Sequence, residues 1–217
     1  MFGQVIANNF GLFAQGYLTT ILLSVSALAA ALAIGALMAS MRVWGGPVLS
    51  AIAGFYVEFF RNTPLLIQLF FFAVVLAPAN LGITRDAVVV AIIGLSIYTG
   101  AFATEAIRSG ILAVDPGQIE AARSLALGPV ATIRLIVLPQ AIRTVIPPLG
   151  NVASALVRNT SVAYAIGARE FLFMGILVQS RTFSPEPYLG ILLGYWSLTI
   201  PLAIGLSRLE RRMVFAR

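Results

Sequence analysis

The amino-acid sequence predicts an all-α membrane protein with about five transmembrane helices and one polar loop between the third and the fourth. The chain has 217 residues, of which 59% are hydrophobic and only 10% are charged, whereas soluble domains carry about 25% charged residues. Several apolar runs reach the length of about 20 residues that crosses the hydrocarbon core of a bilayer. No linker divides the chain, so we expect one domain over residues 1–217.

The missing residue types exclude several classes of function. The sequence has no cysteine and no histidine, which excludes disulfides, thiolate chemistry and the usual zinc sites. It also leaves an intramembrane enzyme without a catalytic set. The basic residues are all arginine and lie at the ends of apolar runs. This pattern favours membrane-flanking charge over a nucleic-acid-binding patch.

Five apolar runs are predicted to span the membrane: residues 16–41, 47–77, 86–107, 139–156 and 187–207. The first run has no basic segment before it, unlike a cleaved signal peptide, so we expect it to stay in the membrane. Glu58 and Arg61 interrupt the second run. A mixed polar region separates the fourth run from the fifth.

An odd number of spans places the two termini on opposite sides of the membrane. The positive-inside rule favours the side that holds most of the arginines. With a cytoplasmic C-terminus, that side holds Arg42, Arg108, Arg123, Arg134, Arg143, Arg208, Arg211, Arg212 and Arg217. The sequence therefore predicts an outside N-terminus, an inside C-terminus and a cytoplasmic loop.

A capped helix is predicted in this polar loop. Asp115 is a favoured N-cap, and Pro116 suits the first helical position. We expect the helix to cover residues 116–127 and Gly128 to take the left-handed conformation that ends it. Pro129 then begins a second short helix. Because apolar residues share one face of the first helix, it either rests on the lipid interface or docks into a groove of a partner.

Five blocks of sequence carry a resemblance to a known family. In order along residues 56–170, they are FFRNTPLLIQLFF, YTGAFATEAIRSGI, GQIEAARSLALG, LPQAIRTVIPPLGN and RNTSVAYAIGAREF. They resemble the permease subunits of bacterial ABC importers, in the branch that takes up polar amino acids. The resemblance implies a type I importer fold and identifies residues 115–138 as the EAA loop, whose coupling helix sits in a cleft of a cytoplasmic ATPase. Ala126 stands where glycine is frequent in this family.

The same resemblance implies which residues contact the ATPase: Gly117, Glu120, Ala121, Ala122, Leu125 and Gly128. Replacement of Glu120 or Gly128 is therefore expected to uncouple ATP hydrolysis from transport. A chain without lysine cannot form the P-loop GxxxxGK[ST]. We thus expect no cofactor on this chain, and ATP and magnesium on the partner ATPase.

The partners implied are a dimer of ATP-binding subunits, a second permease copy or paralogue, and an extracytoplasmic solute-binding protein. The assembly would lie in the bacterial cytoplasmic membrane as a multi-pass complex. Its substrate would be a polar amino acid. The residues of the five blocks are most similar to those of permeases for glutamate and its relatives. A secondary transporter or channel is the alternative, but it would not explain the coupling loop.

Two ionisable residues lie at membrane depth in the second span. Glu58 is about 11 residues, or roughly 17 Å, from the start of that span, and Arg61 follows one turn later. Such residues usually face a protein interior or a water-filled path; the alternative is a self-neutralising pair within the helix. Asn62 and Thr63 follow, and Pro64 can open the helix so that free carbonyl groups face a solute.

A second polar wall is predicted at the end of the fourth span. Asn151, Ser154 and Arg158 share a face if the helix is continuous, and Asn159 and Ser161 extend this set. Its arginine and amide groups would bind the carboxylate of an amino acid, and Glu58 of the second span would bind the ammonium group. The alternative is ordinary packing of polar side chains between helices.

Two charged residues beyond this wall, Arg169 and Glu170, are expected to border the external gate or to dock a binding protein.

Overall fold

The structure is a computed structural model that describes residues 3–214, the last three by backbone alone. Over this range it contains helices and connecting turns without strands. The α-helices are α1 (Gln4–Asn8), α2 (Phe10–Trp44), α3 (Gly46–Arg61), α4 (Leu65–Val75), α5 (Ala87–Leu112), α6 (Pro116–Ser124), α7 (Pro129–Thr132), α8 (Leu138–Asn159), α9 (Phe171–Thr182) and α10 (Glu186–Val214). A π-helical stretch, Ile133–Val137, joins α7 to α8, and a 3-10 stretch, Thr160–Ile166, extends α8.

Four of the helical stretches are long and apolar enough to cross a membrane: Phe10–Trp44, Ala87–Leu112, Pro129–Ile166 and Glu186–Arg211. Helices α3 and α4 would form a fifth span together, but they meet at an angle of 109°. The prediction of about five transmembrane helices is thus confirmed. The second run is divided just before Pro64, where the sequence predicts that the helix can open, because proline lacks an amide hydrogen and restricts the residue before it.

The fourth span differs from its predicted bounds. The helical stretch that contains it begins at Pro129, ahead of the predicted start near residue 139, and continues through α8 to Ile166. Pro147 and Pro148 lie inside α8 without ending it. The helix is therefore continuous where the polar wall was predicted, which meets the condition for its residues to share one face.

Small residues bring α2 and α5 together at the centre of the protein. Ala27, Ala31, Gly35 and Ala39 recur every fourth position of α2 and are buried. A Cβ atom added to Gly35 would lie 2.7 Å from the Cβ of Ala103. In membranes, small residues at this spacing allow two helix backbones to pack closely. This packing places α5 at the centre, where it also contacts α3, α4 and α8.

Candidate functional site

The coupling loop, residues 115–138, begins with a capped helix as predicted. The Asp115 side chain accepts a hydrogen bond from the amide of Gly117 at 2.7 Å, and Pro116 is the first residue of α6. The helix ends at Ser124 rather than at residue 127. A second short helix begins at Pro129, also as predicted.

Ala126, and not Gly128, is the residue that reverses the chain after α6. Ala126 has a φ of 57°, whereas Gly128 is extended with φ −67° and ψ 164°. The expectation that Gly128 takes the left-handed conformation is therefore wrong. Hydrogen bonds from Ala126 N to Arg123 O and from Leu127 N to Ala122 O, at 2.9 and 3.1 Å, hold the turn. The left-handed conformation costs a residue with a Cβ about 1–2 kcal/mol.

The coupling loop is anchored on the membrane domain through one side of α6. Ala122 is buried, and Ile119 packs against a small core formed by Ile111, Val114, Val137 and Ala141. The other residues expected to contact an ATPase are exposed: Gly117, Glu120, Ala121, Leu125 and Gly128. Ala122 thus holds the loop to this chain, and the exposed residues are accessible to a partner.

Two exposed apolar residues that were missed in the sequence, Val130 and Leu135, lie in the second half of the coupling loop. Val130 and Leu135 are 78% and 60% exposed, and Leu125 is 76% exposed. Val130 and Leu135 line an open cavity of 640 Å³, which Gly128 also lines. We call Leu125, Val130 and Leu135 the coupling patch. Because the coupling loop is predicted to lie outside the membrane, exposed apolar residues on it indicate a protein interface. The sequence signals Val130 only weakly, as an apolar residue directly after a Gly-Pro turn.

At the break between α3 and α4, side chains satisfy the backbone carbonyl groups that Pro64 leaves free. The amide of Gln68 donates to the carbonyls of Phe60 and Thr63 at 3.0 and 3.1 Å and to the Thr63 hydroxyl at 2.6 Å. The Thr63 hydroxyl donates in turn to the carbonyl of Phe59 at 2.8 Å. The expectation that these carbonyls face a solute is therefore wrong. Gln68, which is buried, was missed because its partners lie on the other side of the break.

Glu58 and Arg61 do not pair with each other in the described part of the chain. The Glu58 carboxylate accepts a hydrogen bond from Asn62 at 2.9 Å. The Arg61 guanidinium instead lies over the ring of Phe102, 5.3 Å from its centroid. Both charged residues are exposed at the surface of this single chain. Arg61 is thereby directed toward α5, while Glu58 is held within its own helix turn.

A cavity of 230 Å³ lies between α5 and α8. It is lined by Tyr98, Thr99, Phe102, Asn151, Val152 and Ala155. Thr99 is buried, and its hydroxyl has no hydrogen-bond partner within the described residues. The lining is predominantly apolar with Asn151 as its amide, and the Arg61 guanidinium that covers the ring of Phe102 lies beside it. A mostly apolar cavity with a few polar groups is typical of a small-molecule site.

The structure brings only some of the predicted path residues to this cavity. Asn151 lines it, and Arg61 reaches its edge through Phe102. Asn151, Ser154 and Arg158 share one face of α8, as their spacing requires. The other predicted residues lie outside the lining of the cavity: Glu58, Asn62, Thr63, Ser154, Arg158, Asn159 and Ser161. The Ser161 hydroxyl bonds to the carbonyl of Arg158 at 2.7 Å.

Glu105 forms ion pairs that were not expected from the sequence. Its carboxylate contacts Arg42 of α2 at 2.8 Å and Arg108 of its own helix at 2.9 Å. The spacing of Glu105 and Arg108 could have signalled the pair within α5. The contact with Arg42 depends on how α2 packs against α5. These pairs join the end of α2 to α5 close to the coupling loop.

Glu170 is an internal cap and not a docking residue. It is completely buried, and it accepts hydrogen bonds from the amides of Leu172 and Phe173 at 2.9 and 2.8 Å and from the hydroxyl of Tyr195 at 2.6 Å. The expectation that Glu170 docks a binding protein is therefore wrong, because a buried cap cannot reach a partner. Arg169 is exposed.

Comparison with known proteins places the chain in a family. Residues 31–215 match the family of binding-protein-dependent transport system inner membrane components. The chain belongs to this family. It is therefore a permease, the membrane subunit of a transport system, and not an enzyme. This membership confirms the resemblance drawn from the five sequence blocks and removes support for a secondary transporter or channel.

The permease is similar over most of its length to permeases of other bacteria. It is 40% identical to the probable glutamine ABC transporter permease protein GlnM of Bacillus subtilis, with 97% of each chain covered. It is 36% identical to the glutamate transport system permease protein GluC of Corynebacterium glutamicum, with 89% of this chain and 90% of that protein covered.

Solved structures support the same fold. A crystal structure of an amino acid ABC transporter matches with a TM-score of 0.88 and 32% identity, covering 95% of this chain and 96% of that one. The MetNI methionine ABC transporter in an inward-facing conformation matches with a TM-score of 0.80 at 20% identity, covering 94% of this chain and 97% of that one. The architecture is thus that of type I ABC importer permeases.

Proposed function

We propose that this permease carries polar amino acids from the outside to the cytoplasm, driven by ATP hydrolysis on a separate subunit, through alternating access. One observation carries the proposal: the coupling loop is anchored through Ile119 and Ala122 while it exposes Leu125 and Val130. A loop built in this way can transmit the movement of a docked protein to α5 and α8, between which it lies.

The partners follow from the family and from the exposed surfaces. A pair of ATP-binding subunits docks on the coupling patch and binds ATP and magnesium, while this chain binds no cofactor. A second permease, either another copy or a paralogue, completes the path, because five spans are too few to enclose it. A solute-binding protein delivers the substrate from outside. The permease itself is one domain, residues 1–217, with residues 115–138 as its coupling loop.

The substrate we propose is glutamate or a close relative. The relatives named for glutamine and glutamate support this class. Within this chain, the cavity between α5 and α8 has the guanidinium of Arg61 at its edge, whereas Glu58 bonds to Asn62 and is absent from the lining. A cationic group beside the cavity favours a ligand with a carboxylate over a cationic side chain.

The orientation we propose places the N-terminus outside and the C-terminus in the cytoplasm of a bacterial inner membrane. Arg208 and Arg211 lie in the last turns of α10 and are exposed. Arg42, near the end of α2, and Arg123 and Arg134, in the coupling loop, lie on the same side under this orientation. The side chain of Arg212 and the whole of Arg217 lie outside the described residues.

Uptake into proteoliposomes tests this function. The permease is reconstituted with its ATPase and solute-binding protein, and accumulation of radiolabelled glutamate is measured with and without ATP. We expect uptake only with ATP, and competition by glutamate and glutamine but not by arginine or cystine. Uptake sustained by an ion gradient without ATP would overturn the proposal. Competition by arginine alone would retain the importer and reject the substrate.

A further inference from the structure

One carboxylate joins α2 to α5 at the end of their contact that leads to the coupling loop. Oε1 of Glu105 in α5 accepts a hydrogen bond from Nη1 of Arg42 in α2 at 2.8 Å. Arg108, one turn further along α5, donates to the same carboxylate through Nη2 at 2.9 Å and Nε at 3.1 Å. The three side chains are only 22% to 29% exposed. Arg108 therefore orients the carboxylate within α5, and Arg42 is the partner that lies on another helix.

The apolar part of this contact does little to fix how far one helix slides along the other. Ala31, Gly35 and Ala39 of α2 are buried, and Gly35 lies directly against Ala103 of α5. Small residues allow the backbones to approach, but they have no long side chains that would hold one axial register, and apolar attraction is not directional. A charge-assisted hydrogen bond has a fixed partner and geometry. The pair of Arg42 with Glu105 thus sets a register at this end of the contact.

The same two helix ends hold the coupling loop. Ile119 of the loop, Val43 of α2 and Ile107 of α5 all pack against one small apolar core. Val43 directly follows Arg42, and Ile107 lies two residues after Glu105. A movement of the loop therefore acts on α2 and α5 together, beside the ion pair.

On its other side the ion pair borders the cavity between α5 and α8. Phe102, one turn before Glu105, lines that cavity. Arg42 also reaches α3, because its guanidinium carbon is the nearest atom, at 4.0 Å, to a Cβ added at Gly54. The pair thus lies between the coupling loop and the cavity, where α2, α3 and α5 meet.

Stability alone does not account for this ion pair. Partly exposed ion pairs contribute little to the free energy of unfolding. Helices α2 and α5 also share the most extensive contact between two helices of the described chain, so they stay together without the pair. What the pair adds is a fixed relative position of the two helices next to the coupling loop.

We propose that Arg42 and Glu105 are positioning residues, which make α2 follow α5 when the docked ATPase moves the coupling loop. The inference rests on the proposed function. Without the pair, the loop still docks and ATP is still hydrolysed, but part of the movement is lost as sliding between the two helices. Fewer substrate molecules are then carried for each ATP consumed.

The first test measures glutamate taken up per ATP hydrolysed in proteoliposomes that contain the complete importer. For Arg42→Gln and for Glu105→Gln we expect this ratio to fall about threefold or more, within the range by which residues that link two sites change their coupling. The double variant should be no worse than either single variant, because all of them remove the same contact. Arg42→Lys keeps the charge and should restore most of the ratio.

Arg108→Gln is the matched control. It removes a positive charge from the same carboxylate but leaves the contact between α2 and α5, so we expect most of the ratio to remain. An equal loss for Arg108→Gln and Arg42→Gln, or single losses that multiply in the double variant, would overturn the inference. If Glu105→Gln fails to assemble, the comparison of Arg42→Gln with Arg42→Lys and Arg108→Gln decides.

A second measurement does not depend on activity, because the chain has no native cysteine. Trp44→Cys at the end of α2 and Leu112→Cys at the end of α5, both exposed positions, are spin-labelled in one chain and diluted with unlabelled permease. Electron paramagnetic resonance gives the distance between the labels with and without ATP. We expect a constant distance with Arg42 in place and a changed distance in Arg42→Gln. A distance that changes despite Arg42, or stays constant without it, would overturn the inference.

ATP-driven uptake by the unmodified complex is measured in the same vesicles. Its absence would reject the proposed function. Normal uptake together with an unaltered ratio in the Arg42 and Glu105 variants would reject only their positioning role.

Discussion

The guanidinium of Arg61 lies over the ring of Phe102, with 5.3 Å between the guanidinium carbon and the ring centroid. This contact joins the last residue of α3 to the middle of α5. A cation over an aromatic face is held by the ring quadrupole. Because Phe102 lines the cavity between α5 and α8, the contact also positions a positive charge at the edge of that cavity.

Replacing this arginine should weaken substrate binding. For Arg61→Gln we expect glutamate to bind the purified permease–ATPase complex at least about tenfold more weakly, since a hydrogen bond to a charged group contributes about 1.5–3 kcal/mol. Scintillation proximity binding without the solute-binding protein measures this directly. Arg85→Gln, an exposed arginine before α5, is the matched control. Equal weakening by both variants, or by neither, would contradict the role of Arg61.

Removing the Gln68 side chain should destabilise the break between α3 and α4. Gln68→Ala leaves the carbonyls of Phe60 and Thr63 without their donor, and each unsatisfied buried group costs about 1–3 kcal/mol. We expect a lower midpoint of thermal unfolding in detergent and faster hydrogen exchange in α4. Gln140→Ala is the control, because the one hydrogen bond of this exposed amide within residues 3–214 is to a carbonyl of the preceding turn. Equal midpoints of thermal unfolding for the two variants would contradict this role of Gln68.

Glycine at position 126 should stabilise the coupling loop. Ala126→Gly removes the steric cost of the left-handed conformation, about 1–2 kcal/mol. Ala121→Gly, inside α6, should instead destabilise the loop by about 0.5–1 kcal/mol. Hydrogen exchange of the α6 amides measures both, slower for the first variant and faster for the second. A change in the same direction for both would show that Ala126 carries no strain.

A charge in the coupling patch should prevent the ATPase from docking. For Leu125→Asp or Val130→Asp we expect at least about a tenfold loss of affinity for the ATPase, because truncating an interface anchor costs 2 kcal/mol or more. Co-purification and ATP-driven uptake measure the loss.

Gly128→Ala is the matched control for the coupling patch, since Gly128 has a negative φ and no atom within 4 Å of an added Cβ. We expect this variant to retain docking, while the predicted effect of replacing Gly128 on the coupling of hydrolysis to transport is a separate expectation. Replacement of Glu120 remains predicted to uncouple hydrolysis from transport. Docking by Leu125→Asp at normal affinity would exclude the patch as the ATPase site.

The features that could be read from the sequence depend on residues close together in the chain. The apolar runs, the N-cap at Asp115 and the helix start at Pro129 each follow from a few neighbouring residues and are found in the structure. The shared face of Asn151, Ser154 and Arg158 followed from spacing alone once α8 proved continuous. The five family blocks identified the importer class for the same reason, because a motif is a local pattern.

The remaining features depend on which helix faces meet. Only the tertiary structure decided that Gln68 closes the break, that the buried Glu170 accepts a hydrogen bond from Tyr195, and that Arg42 pairs with Glu105. In each case the partners lie on different helices, or on two sides of a bend, and local spacing does not relate them. The sequence by itself determined a membrane permease with a capped helix in its polar loop; the packing of its helices decided which side chains meet across that fold.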